Sequence, residues 1–283
     1  MNGAYVPQNR ASVNVEDRGY QFADGIYEVV HLHRGRFTDW DLHFARFSRS
    51  LREVRIAMPM ARAALERVLA EVAQRNRISE GLLYMQVTRG VARREHAFPE
   101  AGTAPSLVVT ARRVAPYPTD VTAWTTSVIS YPDERWARCD IKSVALLPNV
   151  LARQAARERG ASEAILVDAR GMVTEGAATS FWIVDADGVL RCPPLAHTIL
   201  PGCTRAALIA EMAAEGIPFE DRAFSLVEAR AAREAFITSA TSFVKPVVKI
   251  DGAPVADAQV GPLTRRLFAI FARHVQGAQS NAA

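Results

Sequence analysis

Only three of the chain's 34 basic residues are lysine: Lys142, Lys245 and Lys249. Arginine carries the positive charge almost everywhere else. A retained lysine therefore points to a task that a guanidinium, which stays protonated and poorly nucleophilic, cannot perform. Attack of a primary amine on a carbonyl, forming a Schiff base, is such a task. Lys142 sits in Arg138-Cys139-Asp140-Ile141-Lys142-Ser143, a stretch with no helical or long-strand pattern. A lysine in a partly apolar stretch otherwise keeps its head group in solvent, and local sequence alone leaves both readings open.

Further on, Val173-Thr174-Glu175-Gly176 places a carboxylate inside a strand-like apolar run. If buried, Glu175 needs a positive partner, and a protonated aromatic ring nitrogen would serve. If Glu175 lies on an edge strand, it faces water. Leu200-Pro201-Gly202-Cys203-Thr204-Arg205 opens a helix, whose free N–H groups and positive dipole end, with the Thr204 hydroxyl, suit a phosphate. Thr238-Ser239-Ala240-Thr241-Ser242 is a second cluster of small and hydroxyl residues after a strand. Such runs also simply cap helices or form turns. Arg94-Glu95-His96 lies in a loop, where guanidinium and imidazole could both face one anion and Arg94 could grip a carboxylate with two bonds. Read alone, it is also an ordinary solvated charge run.

The elements that must position these groups are readable from periodicity. Residues 25–33 alternate as a strand and end in an Arg34-Gly35 hairpin turn. Leu42, Phe47, Leu51 and Val54 form a helical stripe over 41–56, with Asp39 or Asp41 as its cap, and a second helix covers 61–74. Strands follow at 82–89 and 106–112, so this half reads as a meander with a helix pair on one face. Residues 114–120 hold two prolines and no pattern. They divide a small N-terminal domain, 1–115, from a large C-terminal one, 121–283, through a linker at 116–120. In the second half strands are expected at 121–130, 163–167, 172–174, 181–184, 236–238 and 247–250. Helices are expected at 149–159, 204–215 and 263–275, before a frayed Gly-Ala-Gln-Ser-Asn-Ala-Ala tail. The mixed order argues for an α+β fold.

At 283 residues and 49% hydrophobic content the chain can bury a sizeable core. The net charge of +4 and pI near 9.2 come from arginines interleaved with acids, as in Arg62, Glu66, Arg67 and Glu71. These are solvated helix faces and not a nucleic-acid stripe. Cys139, Cys192 and Cys203 are odd in number and widely spaced, which excludes a disulfide framework and a paired-cysteine metal site and fits a reducing cytoplasm. No leader-like segment and no apolar run near 18 residues suggests secretion or membrane insertion.

Joined together, these segments resemble the D-amino-acid transaminases, members of the fold-type IV class of pyridoxal-phosphate enzymes. The likeness runs over nearly the whole chain and is densest in EDRGYQFADGIYEVV (16–30), RWARCDIKS (135–143), VTEG (173–176) and GCTR (202–205). It implies two domains, the smaller an N-terminal α/β sandwich and the larger built on a β-barrel-like core. It implies pyridoxal 5'-phosphate as cofactor, Lys142 as the Schiff-base and proton-transfer residue, and Glu175 beside the pyridine nitrogen. Arg46, the backbone of Cys203, Thr204, Ser239 and the backbone of Ala240 would hold the phosphate end, and Leu200 would pack on the ring. Tyr27, Arg94 and His96 would trap the substrate α-carboxylate, with Val29 a further substrate-binding position. The resemblance also implies a homodimer whose trap is completed across the interface. With the carboxylate and the proton-transfer face both fixed, only one hand of amino acid turns its hydrogen toward the lysine. The chain departs from the pattern at Ala240, where well-known members have a threonine, at Ala177 and Ala178 in place of serines, and at Ser180 in place of an asparagine. These changes bear on cofactor affinity and rate.

Branched-chain L-amino-acid transaminases, (R)-amine transaminases and aminodeoxychorismate lyases share Lys142 and Glu175. The Arg94-x-His96 pair favours D-amino acids. A basic nucleic-acid-binding or cofactor-carrying protein is the rival of a different kind; it predicts steeply salt-dependent affinity and no turnover.

Overall fold

A computed structural model describes residues 1–277; the rest of the tail expected to fray lies outside the described residues. The chain divides into two compact units.

The first unit comprises Met1–Pro116 and Ile141–Ala145. Its elements are α1 (Arg18–Phe22), β1 (Gly25–His33), β2 (Arg36–Phe37), α2 (Trp40–Glu53), α3 (Arg62–Arg75), β3 (Gly81–Thr88) and β4 (Ser106–Arg113). The strands form an antiparallel sheet in the order β2-β1-β3-β4. Arg34 and Gly35 both have positive φ, 49° and 80°, the backbone that a two-residue hairpin needs. Along β1 the even residues Ile26, Glu28, Val30 and Leu32 are fully or nearly fully buried, while Tyr27 and Val29 on the other face are half-buried. The core joins Ile26, Val30 and Leu32 to Phe47 and Leu51 of α2, Leu65 and Leu69 of α3, and Met85 and Val87 of β3.

The buried stripe of α2 is His43, Arg46, Phe47, Ser50 and Leu51. It is rotated from the expected one, so that Leu42 is exposed and Val54 is the C-cap. The cause lies across the interface: Glu28 is buried in the same layer, and a buried carboxylate draws the polar residues of the helix inward. Asp39 is the N-cap, but its side chain makes no capping hydrogen bond.

The second unit comprises residues 117–140 and 146–277. Its elements are β5 (Thr126–Pro132), α4 (Leu147–Glu158), β6 (Glu163–Val167), β7 (Val173–Gly176), β8 (Ser180–Val184), β9 (Leu190–Cys192), α5 (Cys203–Ala214), β10 (Glu220–Asp221), α6 (Leu226–Arg230), β11 (Glu234–Ser239), β12 (Phe243–Ile250), β13 (Ala253–Pro254) and α7 (Pro262–Gly277). They build a nine-stranded sheet in the order β10-β9-β8-β11-β12-β5-β6-β7, with β13 paired to β12. The pairs β12–β5, β5–β6 and β10–β9 are parallel and the others antiparallel. This mixture is the α+β class expected. A core of Trp182, Leu208, Met212, Phe236, Leu267 and Phe271 packs α5 and α7 on the sheet, with Trp182 and Phe236 stacked at 5.5 Å. Glu234 fixes the start of α7 by accepting hydrogen bonds from the N–H groups of Leu263 (3.1 Å) and Thr264 (2.7 Å).

Three expectations need correction. The strand expected over 121–130 begins at Thr126, because residues 122–124 form a turn in which Trp124 donates to the Ser242 carbonyl. Tyr117, expected in a linker over 116–120, belongs to the second unit, with its ring centroid 4.8 Å from those of both Phe243 and Phe268. The large domain, expected over 121–283, is not continuous, since Ile141–Ala145 returns to the first unit. There Ile141 joins the core, Ser143 bridges to Ile26, and Tyr27 N–H donates to the Lys142 carbonyl at 2.9 Å.

Candidate active site

In the first unit the candidate groups gather on the outer face of β1. Tyr27 and Val29 lie two residues apart on that face, opposite Gln86 and Tyr84 of β3. Lys142 lies in irregular backbone, its carbonyl tied to Tyr27 N–H and its own N–H directed at the Ser50 hydroxyl, 3.4 Å away. Its side chain is half-buried. Lys142 Nζ donates to Tyr27 Oη at 3.3 Å and lies 4.3 Å from the centroid of that ring. Tyr27 in turn stacks on Tyr84 at 5.7 Å. Burial, then the neighbouring Tyr27, pushes the Tyr84 phenol up to about 12, and Tyr84 donates to Gln86 at 2.6 Å. A primary amine is thus held against an aromatic hydroxyl on a fixed strand.

Arg46 was expected on the cofactor phosphate. Its Nε and Nη2 donate to the Glu28 carboxylate at 3.0 and 2.6 Å. Glu28 is fully buried and also takes His43 Nδ1 at 3.0 Å. Burial alone would raise the Glu28 carboxyl, but the Arg46 and His43 charges outweigh it and hold it well below the ordinary carboxylate range.

Arg94 and His96 are exposed, in a loop without helix or strand. The guanidinium carbon of Arg94 lies 5.1 Å from the Phe22 ring, and the His96 ring lies 5.3 Å from it. The structure therefore joins Tyr27 to Lys142, and joins Arg94 and His96 to α1.

In the second unit Glu175 is buried on β7. Arg135, in the loop after β5, donates to it through Nη1. Arg135 is itself clamped by Asp133, with Nε–Oδ1 and Nη2–Oδ2 both at 2.8 Å, and reaches the Thr198 carbonyl at 3.0 Å. Burial opposes the charge on Arg135, but its bond to Asp133 and the Glu175 and Asp133 carboxylates more than offset this and raise the guanidinium well above its ordinary value. Leu200 N–H donates to Glu175 Oε1 at 3.2 Å, which fixes the expected ring-packing residue to the expected ring-nitrogen partner. Sequence reading did not single out Arg135 as the partner of Glu175. Its signal was the Asp133-x-Arg135 spacing, which lets one carboxylate clamp the guanidinium that serves another.

The N-cap of α5 is Gly202, with no side-chain capping bond, and Cys203 and Thr204 are buried at the helix start. A Cβ at Gly202 would come within 2.9 Å of Ser180 Oγ, so a side chain there would oblige the Ser180 hydroxyl to shift. The Ser239 hydroxyl is engaged inside its own turn, accepting from the N–H groups of Ser242 (3.1 Å) and Thr241 (3.3 Å), next to Ala240. Among the described residues no cluster of His, Cys, Asp and Glu could hold a metal ion, and no helix is long and apolar enough to cross a membrane.

The fold is that of the pyridoxal-phosphate enzymes of fold-type IV; the first unit holds an amine against a tyrosine and the second an acid clamped by an arginine. The chain belongs to the amino-transferase class IV family, whose model matches residues 25–250. It is 38% identical over 277 residues to a D-alanine aminotransferase of Listeria monocytogenes, covering 97% of this chain and 95% of that protein. It is 38% identical over 282 residues to a D-alanine aminotransferase of Staphylococcus haemolyticus, covering 99% and 98%. In fold it is similar to the Escherichia coli branched-chain amino acid aminotransferase, with a TM-score of 0.88 at 22% identity, covering 99% of this chain and 95% of that one. The residue types present would suit such a cofactor: Lys142 would offer an amine to its carbonyl, Glu175 an anion to its ring nitrogen, and the start of α5 a dipole end and N–H groups to its phosphate.

Proposed function

We propose that this protein exchanges amino groups between D-amino acids, D-alanine among them, and 2-oxo acids such as 2-oxoglutarate. The observation that carries the reading is the 38% identity to D-alanine aminotransferases over nearly the full chain. The Tyr27–Lys142 pair and the Arg94-x-His96 loop support it. When bound, pyridoxal phosphate supplies an electron sink for the substrate carbon. Lys142 holds it through Nζ and moves the proton at the substrate Cα, while Tyr27 Oη orients that nitrogen. Glu175, clamped through Arg135, keeps a negative charge against the pyridine nitrogen, and Leu200 packs on the ring. Thr204, the backbone N–H groups of Cys203 and Ala240, the Ser239 turn and Arg46 hold the phosphate end. Tyr27, Arg94 and His96 bind the substrate carboxylate and Val29 the region beside it. Fixing that carboxylate and the lysine together selects the D hand.

The working form is a homodimer in which the exposed Arg94–His96 loop completes the carboxylate trap across the interface. The exposed apolar residues Leu147, Val150 and Leu151, spaced along one side of α4, support a partner on that face. A reducing cytoplasm suits the three free, buried thiols. Burial pushes those of Cys139 and Cys192 up to about 11 and 12.

The test is to incubate the holoenzyme with D-alanine or L-alanine and 2-oxoglutarate, then analyse the glutamate by chiral chromatography. D-glutamate, formed only with D-alanine, is expected. L-glutamate would overturn the assignment.

A further inference from the structure

We propose that Arg18 is a positioning residue for the substrate-carboxylate loop, holding Arg94 and His96 where the carboxylate is received. The inference rests on the carboxylate-trap reading above.

Residues 93–98 form no helix or strand and are exposed, with the Phe98 ring under the guanidinium carbons of Arg89 (3.7 Å) and Arg55 (4.6 Å). Such a loop has little apolar core to set its course, so hydrogen bonds to its backbone matter for its conformation. Arg18 supplies them. Its side chain is 3% exposed, and all three guanidinium nitrogens are engaged. Nη1 donates to the Glu95 carbonyl at 2.5 Å, Nη2 to the His96 carbonyl at 3.3 Å, and Nε to Asp24 Oδ2 at 2.8 Å. Asp24 is also gripped by Arg89 through Nε at 2.7 Å and Nη2 at 2.9 Å. Arg89 reaches back to the carbonyls of Val54 and Arg55, at the end of α2. One continuous chain of charge-assisted bonds therefore runs from the end of α2 to the successive carbonyls of Glu95 and His96.

An aromatic layer reinforces it. Phe22, one turn after Arg18 in α1, lies under the guanidinium carbons of both Arg18 (4.9 Å) and Arg94 (5.1 Å) and beside His96. The platform is itself fixed. Asp17 caps α1 by accepting from Gly19 N–H and also accepts from the Thr88 hydroxyl, both at 2.9 Å. A Cβ at Gly19 would lie 2.1 Å from Thr88 Cγ2, so α1 sits directly on β3. A lysine at position 18 would keep the charge but lose the planar fork that reaches two carbonyls and a carboxylate at once.

The experiment compares Arg18→Lys, Phe22→Leu and Arg94→Ala as holoenzymes, reading kcat and KM for 2-oxoglutarate and the Kd for pyridoxal phosphate. Arg18→Lys should raise KM about 10-fold, with kcat changed less than about 3-fold and cofactor affinity unchanged. Phe22→Leu should raise KM about 3-fold in the same pattern. If Arg94→Ala raises KM while the other two leave it unchanged, the role of Arg18 is overturned and the trap stands. If Arg94→Ala leaves KM unchanged, the trap reading itself fails. Loss of cofactor affinity in step with KM would make Arg18 merely structural and overturn the proposal. Should Arg18→Lys not fold, Phe22→Leu decides by the same criteria.

Discussion

Lys142 Nζ donates to the Tyr27 hydroxyl at 3.3 Å while lying 4.3 Å from the centroid of the same ring, so one tyrosine contacts the amine both through its oxygen and through its π face. The two contacts are separable by mutation. Tyr27→Phe keeps the ring and removes Oη. A hydrogen bond of about 0.5–1.5 kcal/mol corresponds to a fall of about 2- to 12-fold in kcat/KM. Steady-state kinetics on the holoenzyme checks this; an unchanged kcat/KM would mean that Oη takes no part.

Glu175→Gln is expected to cost activity far more than stability. Arg135 retains Asp133 through Nε and Nη2, so no buried cation is left alone. Stability should fall by about 1 kcal/mol, while transamination falls about 100-fold. Arg135→Leu is the opposite case. It strands two carboxylates of low exposure, Glu175 and Asp133, and should lower stability by about 3–5 kcal/mol. Thermal unfolding and turnover, measured on both variants, separate the two effects; equal stability losses would refute the assignment of Asp133 as the second anchor.

His31 predicts a particular acid sensitivity. Burial, only partly opposed by the Glu80 charge, lowers this imidazole from 6.5 to about 4. Between those values the unfolded chain binds a proton that the folded chain does not. Stability is therefore complete above pH 6.5 and is lost as pH falls toward 4. The largest loss is about 3 kcal/mol. Replacing His31 with Leu should flatten the melting temperature between pH 6.5 and 4 relative to the parent. If the two curves run parallel, the imidazole does not control that window.

The long periodic elements were legible in sequence. β1 showed its alternation, and the Arg34-Gly35 turn is formed by the residues expected. The glycine after α4, Gly160, does have the positive φ of a helix stop, 70°. What escaped were elements too short to show a period, among them α1 and α6 with five residues each, β9 with three, and β10 and β13 with two each. The rotation of α2 escaped because Glu28, a charged residue inside an apolar strand, decides which side of the helix turns inward, and that demand comes from another element. The proposed site was open to sequence reading only in part, for the same reason. Lys142 and Glu175 announce themselves by residue type, whereas Arg18 and Arg135 are ordinary arginines among many until the fold brings carbonyls and carboxylates to them.

The return of Ile141–Ala145 to the first unit has a consequence for biosynthesis. A protein is made from its N-terminus, and a domain that is contiguous in sequence can close while the ribosome is still translating the remainder of the chain. Here it cannot. The core of the first unit awaits Ile141, and the inner edge of β1 awaits the backbone of Lys142 and Ser143. The segment that bears Lys142 is thus the last piece of its own unit to emerge, and a nascent chain arrested before it would lack a finished core for that unit.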